Sequence, residues 1–400
     1  MSERADALAD ARWRLPLAGA VALMLGVGFG RYIFTPLITP MVENGWFTAH
    51  ETAELGAINL LGYLLGAIGA HRYAGWLGPR RAIASCLIAL VVSLVVCMFE
   101  SPLLFYGFWR LLAGAAAATL TIVVTPAIMS RMQAADRPAA SAIIFTGMGV
   151  VTMGVALVVP RLVDFGIGAI WAAAAAVGAL LSLWSWLAVW RHLPGEAAPV
   201  EATPEPGAAN TTPWLVIGLL IVAYGLSSAG YVPHSLYWVD YIARELGRGL
   251  AAGNHYWLLL GFGGVIGPAF GGLAARWFGF AAALIVAFAL MAGAVALPLI
   301  LVHPAALALS SLLVGTMVPA IITLTAGTVH VLSPPARQRQ IWGWATLSFA
   351  ATQAVGGFAM ARLYGATGSY RATIAAGAAL LVVALACAIA GGVGARRRMG

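Results

Sequence analysis

The chain divides at residues 191–213, which read RHLPGEAAPVEATPEPGAANTTP. Five prolines, three glutamates and no aromatic residue give this stretch the composition of a linker. The sequence on either side of it is strongly apolar. We therefore predict an N-terminal helical bundle with a short cytoplasmic tail over 1–190, a cytoplasmic linker over 191–213 and a C-terminal bundle over 214–400.

The composition of the 400-residue chain indicates a membrane protein. It is 62% hydrophobic and 9% charged, whereas soluble domains carry roughly 25% charged residues. All 22 basic residues are arginine, so chemistry that needs a lysine, such as a Schiff base or a phosphate-loop lysine, is excluded. The net charge of +8 is spread over short loops rather than one face, so no nucleic-acid partner is predicted.

Twelve apolar stretches are long enough to cross a bilayer core of about 30 Å, which takes about 20 helical residues. Six precede the linker and six follow it, which predicts an all-α membrane protein of two six-helix bundles, the layout of carriers built from two parallel repeats. The predicted spans begin near Leu15, Glu51, Arg80, Leu103, Ala139, Gly166, Trp214, Ala251, Phe280, Pro304, Ile341 and Ala372.

The arginines predict the orientation of the chain. Fifteen fall in segments on one side of the predicted spans and five on the other. Short cytoplasmic loops carry the excess of positive charge, so both termini and the linker are expected in the cytoplasm.

Two segments are rich in glycine. Residues 263–272 read GGVIGPAFGG, which resembles the antiporter motif of the major facilitator superfamily, although that motif belongs to the fifth span and this segment lies in the eighth. Residues 66–81 resemble the loop between its second and third spans. We expect helix packing or gating roles for Gly66, Gly69, Gly78, Arg80, Arg81, Gly263, Gly267, Pro268, Gly271 and Gly272.

Two further segments carry a closer resemblance. Residues 28–41 read GFGRYIFTPLITPM and residues 59–67 read NLLGYLLGA, and both resemble the YbfB/YjiJ branch of bacterial major facilitator transporters. Arg110 followed by Gly114 resembles the superfamily's fourth-span pattern. The resemblance implies the major facilitator fold and a secondary carrier in the bacterial inner membrane that moves a small organic solute by alternating access.

Arg31 and Arg110 are charged residues inside predicted spans, and such residues mark functional sites by default. All fourteen acidic residues fall near span ends or in loops, so none is available in mid-membrane as a partner. A guanidinium offers a planar fork that suits carboxylate or phosphate. The pair therefore predicts a site biased toward an organic anion. Backbone carbonyls, hydroxyls or snorkelling could instead satisfy each arginine.

Polar residues near the arginines and on span seven are predicted to line the substrate site. These candidates are Tyr32, Thr35, Asn59, Tyr63, Tyr224, Ser227 and Tyr231. Helix contacts are the alternative role for each of them. Proton coupling would fall to His234 with Asp240 near the outer boundary, or to the substrate's own carboxylate.

Other classes of function find little support in the sequence. An efflux carrier for neutral or lipophilic cationic compounds is the nearest alternative, and an integral membrane enzyme or a sensor is more distant. No catalytic motif, paired cysteine spacing or cluster of metal ligands occurs in the sequence, so no cofactor and no metal are predicted. The expected partners are the lipid bilayer and a small molecule, and the expected state is a monomer.

Overall fold

The computed structural model describes residues 2–192 and 213–399, and they are almost entirely helical. The predicted linker therefore lies largely outside the described residues. The helices are α1 (Ser2–Leu23), α2 (Phe34–Glu43), α3 (Ala49–Leu77), α4 (Pro79–Val96), α5 (Leu103–Met129), α6 (Arg137–Leu162), α7 (Ile167–Ala188), α8 (Trp214–Gly230), α9 (Trp238–Asp240), α10 (Gly249–Phe278), α11 (Phe280–Ile300), α12 (Pro304–Leu332), α13 (Pro335–Thr367) and α14 (Tyr370–Met399).

Eleven helical segments among the described residues are long and apolar enough to cross a membrane. Each begins within two residues of a predicted span start. They are Trp13–Glu43, Ala49–Leu77, Pro79–Val96, Leu103–Met129, Ala139–Phe165, Ile167–His192, Trp214–Glu245, Gly249–Phe278, Phe280–Ile300, Pro304–Leu332 and Tyr370–Gly392.

The predicted span at Ile341 is not among these eleven, so the count of twelve is not confirmed. Its residues belong to α13, a helix of 33 residues that is long enough to span. Its composition explains why it is not among the eleven, because Gln353 and several glycines, threonines and serines lower the hydropathy of its central turns.

The helices form two compact units, divided between residues 200 and 201, which we call the N-terminal and C-terminal units. The predicted boundaries at 190 and 214 remain a prediction. In the N-terminal unit α3 packs extensively along α5, and in the C-terminal unit α10 packs along α12 in the same way.

The same helix contacts recur in the two units at a spacing of 201 residues. Gly62 lies against the backbone of Leu111, and Gly263 lies against the backbone of Leu312. The other recurring contacts are Gly66 on Ala115 with Gly267 on Thr316, Gly114 on Asn59 with Gly315 on Leu260, and Gly147 on Ala20 with Ser348 on Ile221. Both units are therefore built on one helical scaffold in one register.

The turns that follow the paired helices also recur at this spacing. Gly78 ends α3 with φ of 78°, and Gly279 ends α10 with φ of 75°. Glycine takes this left-handed region without the penalty that a Cβ would impose. Pro79 then occupies the first turn of α4, where a missing N–H costs no hydrogen bond.

A capping box begins α3 at Thr48. The Thr48 hydroxyl accepts from the backbone N–H of Glu51, and the Glu51 carboxylate accepts from the backbone N–H of Thr48 at 2.8 Å. Together they satisfy two backbone donors that a helix start leaves without partners.

The first span is not one continuous α-helix. Residues Met24–Tyr32 form a π-helical segment between α1 and α2, in which Ile33 N–H donates to the Gly28 carbonyl. Pro36 contributes to the break, because a proline ring clashes with the carbonyl four residues earlier, here Tyr32.

We expect Gly62→Val to destabilise the N-terminal unit by about 1–3 kcal/mol or more, because the new side chain overlaps the Leu111 backbone. Thermal unfolding of the detergent-purified protein measures the loss. Gly69→Val is the matched control on the same helix, because no atom lies within 4 Å of an added Cβ at Gly69. Equal melting temperatures for the two variants would contradict the close helix contact.

Candidate functional site

Arg31 lies in the π-helical segment of the first span and is 3% exposed. Its guanidinium carbon lies 5.3 Å from the ring centroid of Tyr32. Contact with an aromatic face stabilises a cation through the ring quadrupole. The segment therefore holds a cation inside the apolar part of the N-terminal unit.

Arg110 lies on α5 and is buried more completely, at 1% exposed. Its guanidinium carbon lies 4.6 Å from the ring centroid of Phe34 and 5.9 Å from that of Trp171. Among the described residues no carboxylate lies within ion-pair distance of Arg110, and its Nε has no hydrogen-bond acceptor.

The other N-terminal candidates lie on three elements, the π-helical segment, α2 and α3. Thr35 is buried at the start of α2, and Tyr32 is half-buried beside Arg31. Asn59 is buried on α3 and its side chain bonds to backbone carbonyls of the first span and α5. Tyr63, one turn further along α3, is half-buried.

The C-terminal candidates Tyr224, Ser227 and Tyr231 are all buried in or just after α8. The Ser227 hydroxyl donates to the Tyr224 carbonyl at 2.8 Å, which is a local helix contact. The Tyr231 hydroxyl accepts from Nε2 of Gln353 on α13 at 2.8 Å. Gln353 is absent from the residues predicted from sequence, although a single glutamine in mid-span is the signal that would have found it.

An aromatic face connects α8 with α13. The Tyr224 ring lies 4.8 Å from the Phe349 ring and 6.0 Å from the Trp342 ring, centroid to centroid. Phe349 and Trp342 are half-buried, so part of each ring is accessible. Such rings can contact the apolar part of a solute or the face of a cation.

His234 is fully buried and joins three helical elements of the C-terminal unit. Its Nε2 lies 2.9 Å from the Ser310 hydroxyl, which donates its own hydrogen to the Ala294 carbonyl at 2.7 Å. Since a hydroxyl has one hydrogen, His234 donates from Nε2. The ring stacks on Trp238, whose Nε1 donates to Ser311 at 2.8 Å.

Asp240 is fully buried and forms an ion pair with Arg244, whose Nε donates to Oδ1 at 2.6 Å. The Tyr370 hydroxyl also donates to Asp240. Glu245 accepts from the backbone N–H groups of Tyr370 and Arg371 at the start of α14. These contacts attach the end of the seventh span to α14. Proton coupling by His234 and Asp240 remains a prediction.

The predicted packing and gating residues differ in their surroundings. Gly66, Gly263, Gly267 and Gly271 each lie against the backbone of a neighbouring helix. Gly69 and Gly272 adjoin open space, and Pro268 is half-buried within α10. Arg80 contacts the Trp186 ring at 5.3 Å and Arg81 is exposed, both at the start of α4 after Gly78.

No three histidine, cysteine, aspartate or glutamate side chains of the described residues meet in an arrangement that could hold a metal ion. The three cysteines are unpaired thiols, two of them buried.

The apolar helices of both units define a multi-pass integral membrane protein. The chain belongs to the family described as uncharacterised MFS-type transporter YbfB, whose model matches residues 23–389. This match confirms the resemblance noted at residues 28–41 and 59–67. No curated protein matches the sequence.

Solved structures of a peptide transporter share the fold of this chain. The chain is similar to the crystal structure of peptide transporter POT in complex with sulfate, at a TM-score of 0.71, and to that of a point mutant of the same transporter, at 0.70. Sequence identity is 17% in both cases, over 94% of this chain and 93% of the other. At this identity the likeness shows the fold alone.

We expect Arg244→Met to destabilise the protein more than Asp240→Asn does. Asp240 is fully buried and the Arg244 side chain is 24% exposed, so loss of the arginine leaves a carboxylate charge inside the unit. Breaking a buried pair in this way costs about 3 kcal/mol or more. Thermal unfolding measures both changes. A larger fall in melting temperature for Asp240→Asn than for Arg244→Met would contradict a buried carboxylate that depends on Arg244.

Proposed function

We propose that the protein is a monomeric secondary active transporter that moves a small organic solute across the bacterial inner membrane by alternating access. Membership of the MFS-type family and the likeness to transporter structures support this function. Twelve spans, with α13 as the eleventh, would place both termini in the cytoplasm. We assign the protein no catalytic activity and no cofactor.

We further propose that the transported solute is an organic anion. The observation that carries this proposal is the Arg110 guanidinium, which is buried against two aromatic rings with no carboxylate among the described residues in ion-pair distance. A charge inside a membrane protein is costly unless a partner or water compensates it. A second cation at Arg31 adds to the positive potential, and a bound anion would compensate the charge of Arg110.

The two arginines would have different roles. Rings of Phe34 and Trp171 lie by the Arg110 guanidinium, so we assign Arg110 mainly an electrostatic contribution. Arg31 contacts a half-buried tyrosine in the interrupted part of the first span. We therefore assign Arg31 the direct contact with the anion, as a bidentate donor to a carboxylate.

Ligands that differ only in charge test the anion bias. Benzoate, benzamide and benzamidine share one skeleton and carry an anionic, a neutral and a cationic head, and aliphatic trios of the same kind extend the series. We expect carboxylates to raise the melting temperature most, because a ligand at 100 times its Kd stabilises the folded state by about 2.7 kcal/mol. The shift should disappear in Arg31→Met.

Arg161→Met is the matched control, because it removes the same charge from an exposed side chain at the end of α6. It should keep the response to carboxylates. Stabilisation by the amidines, or carboxylate shifts that persist in Arg31→Met, would contradict the anion proposal.

One observation favours the alternative of an efflux carrier for neutral or lipophilic cationic compounds. The half-buried rings of Phe349 and Trp342 beside Tyr224 form a surface suited to flat apolar molecules and to cations. In this case amidine and amide ligands would stabilise the protein. Phe349→Ala would then weaken their shifts more than Arg31→Met does.

The orientation makes a separate prediction. A fluorescent protein that folds only in the cytoplasm should fluoresce when fused to either terminus, because arginine-rich loops remain on the cytoplasmic side. Alkaline phosphatase, which is active only in the periplasm, should be inactive at the same sites. Phosphatase activity at the C-terminus alone would indicate an odd number of spans and contradict the role of α13.

A further inference from the structure

The Asn59 side chain links the two segments that carry the buried arginines. Its Nδ2 donates to the carbonyl of Gly30, next to Arg31, at 3.1 Å and to the carbonyl of Arg110 at 2.8 Å. These bonds connect α3 with the π-helical segment and with α5, across 29 and 51 residues of sequence. One amide thus bonds to the backbone at or beside both cations.

The geometry fixes the orientation of this amide. Both partners of Nδ2 are carbonyl oxygens, which accept hydrogen bonds and cannot donate them, so the nitrogen and oxygen of Asn59 cannot be exchanged. Both amide hydrogens are used in these two bonds. The Oδ1 atom is buried and has no hydrogen-bond partner among the described residues.

The C-terminal unit shows that the helix contact itself does not need the amide. Leu260 occupies the position 201 residues after Asn59, and Gly315 lies against its backbone as Gly114 lies against that of Asn59. Val232 and Ser311 stand at the positions that correspond to Arg31 and Arg110. The amide is therefore present in the unit that carries the cations and absent from its repeat.

We propose that Asn59 is a positioning residue that holds the backbone of Arg31 and Arg110 in one fixed arrangement. The two hydrogen bonds of Asn59 run from α3 to the π-helical segment and to α5, so they restrain the spacing of the two backbone segments that carry the arginines. Binding sites need their groups held within about 0.5 Å of the productive geometry. The effect on a ligand rests on the anion site proposed above, whereas the tie between helices does not.

Hydrogen exchange of the ligand-free protein tests the tie directly. Asn59→Leu introduces the residue that the C-terminal unit has at the equivalent position. We expect the backbone amides of peptides over residues 24–41 and 103–116 to exchange about five-fold faster, because each segment loses one hydrogen bond worth about 1 kcal/mol. Asn59→Ala serves if the leucine variant does not fold. Leu260→Asn is the control and should leave both peptides unchanged. Unchanged exchange in Asn59→Leu and Asn59→Ala would overturn the proposal.

Ligand affinity separates positioning from a purely structural role. We expect Asn59→Leu to weaken the binding of benzoate, or of the tightest-binding carboxylate of the trios, by about ten-fold, corresponding to about 1.4 kcal/mol. The affinity for the matched carboxamide should fall by much less. A lower melting temperature with an unchanged carboxylate preference would overturn the positioning role. Faster exchange in a protein whose wild type prefers no carboxylate would support the tie and overturn the anion function instead.

Discussion

Close contact between helix backbones at glycine determines how the helices of both units pack. In a bilayer the hydrophobic effect does not drive helices together, so they associate where small residues let their backbones approach. Gly62 and Gly114 bring α3 and α5 together, and Gly263 and Gly315 do the same for α10 and α12. The positions of the polar side chains on these helices follow from that contact.

One scaffold supports two different polar interiors. The N-terminal unit places two arginines and an asparagine where the C-terminal unit has valine, serine and leucine at the 201-residue spacing. In the C-terminal unit a histidine and a tryptophan instead bond to adjacent serines, and an aspartate forms an ion pair with an arginine. The shared scaffold therefore does not require arginine at these positions, and we connect the two arginines with ligand binding for this reason.

Much of the fold could be predicted from sequence because membrane helices follow composition along the chain. Eleven spans begin within two residues of the predicted starts, and the family match supports the resemblance drawn from residues 28–41 and 59–67. The span at Ile341 was the exception, since Gln353 and small polar residues make α13 less apolar than its neighbours. The hydrogen bond from Gln353 to Tyr231 gives that polarity a physical reason.

Composition along the chain is enough to predict apolar helices that can cross a bilayer, the starts of eleven of them, and the two arginines within them. The partners of each polar side chain could not be predicted in this way. The Asn59 amide bonds to carbonyls 29 and 51 residues away in the sequence, and His234 bonds to Ser310, 76 residues away. Hydropathy is a local property of the chain, whereas hydrogen-bond partners are set by the helices that close packing brings together.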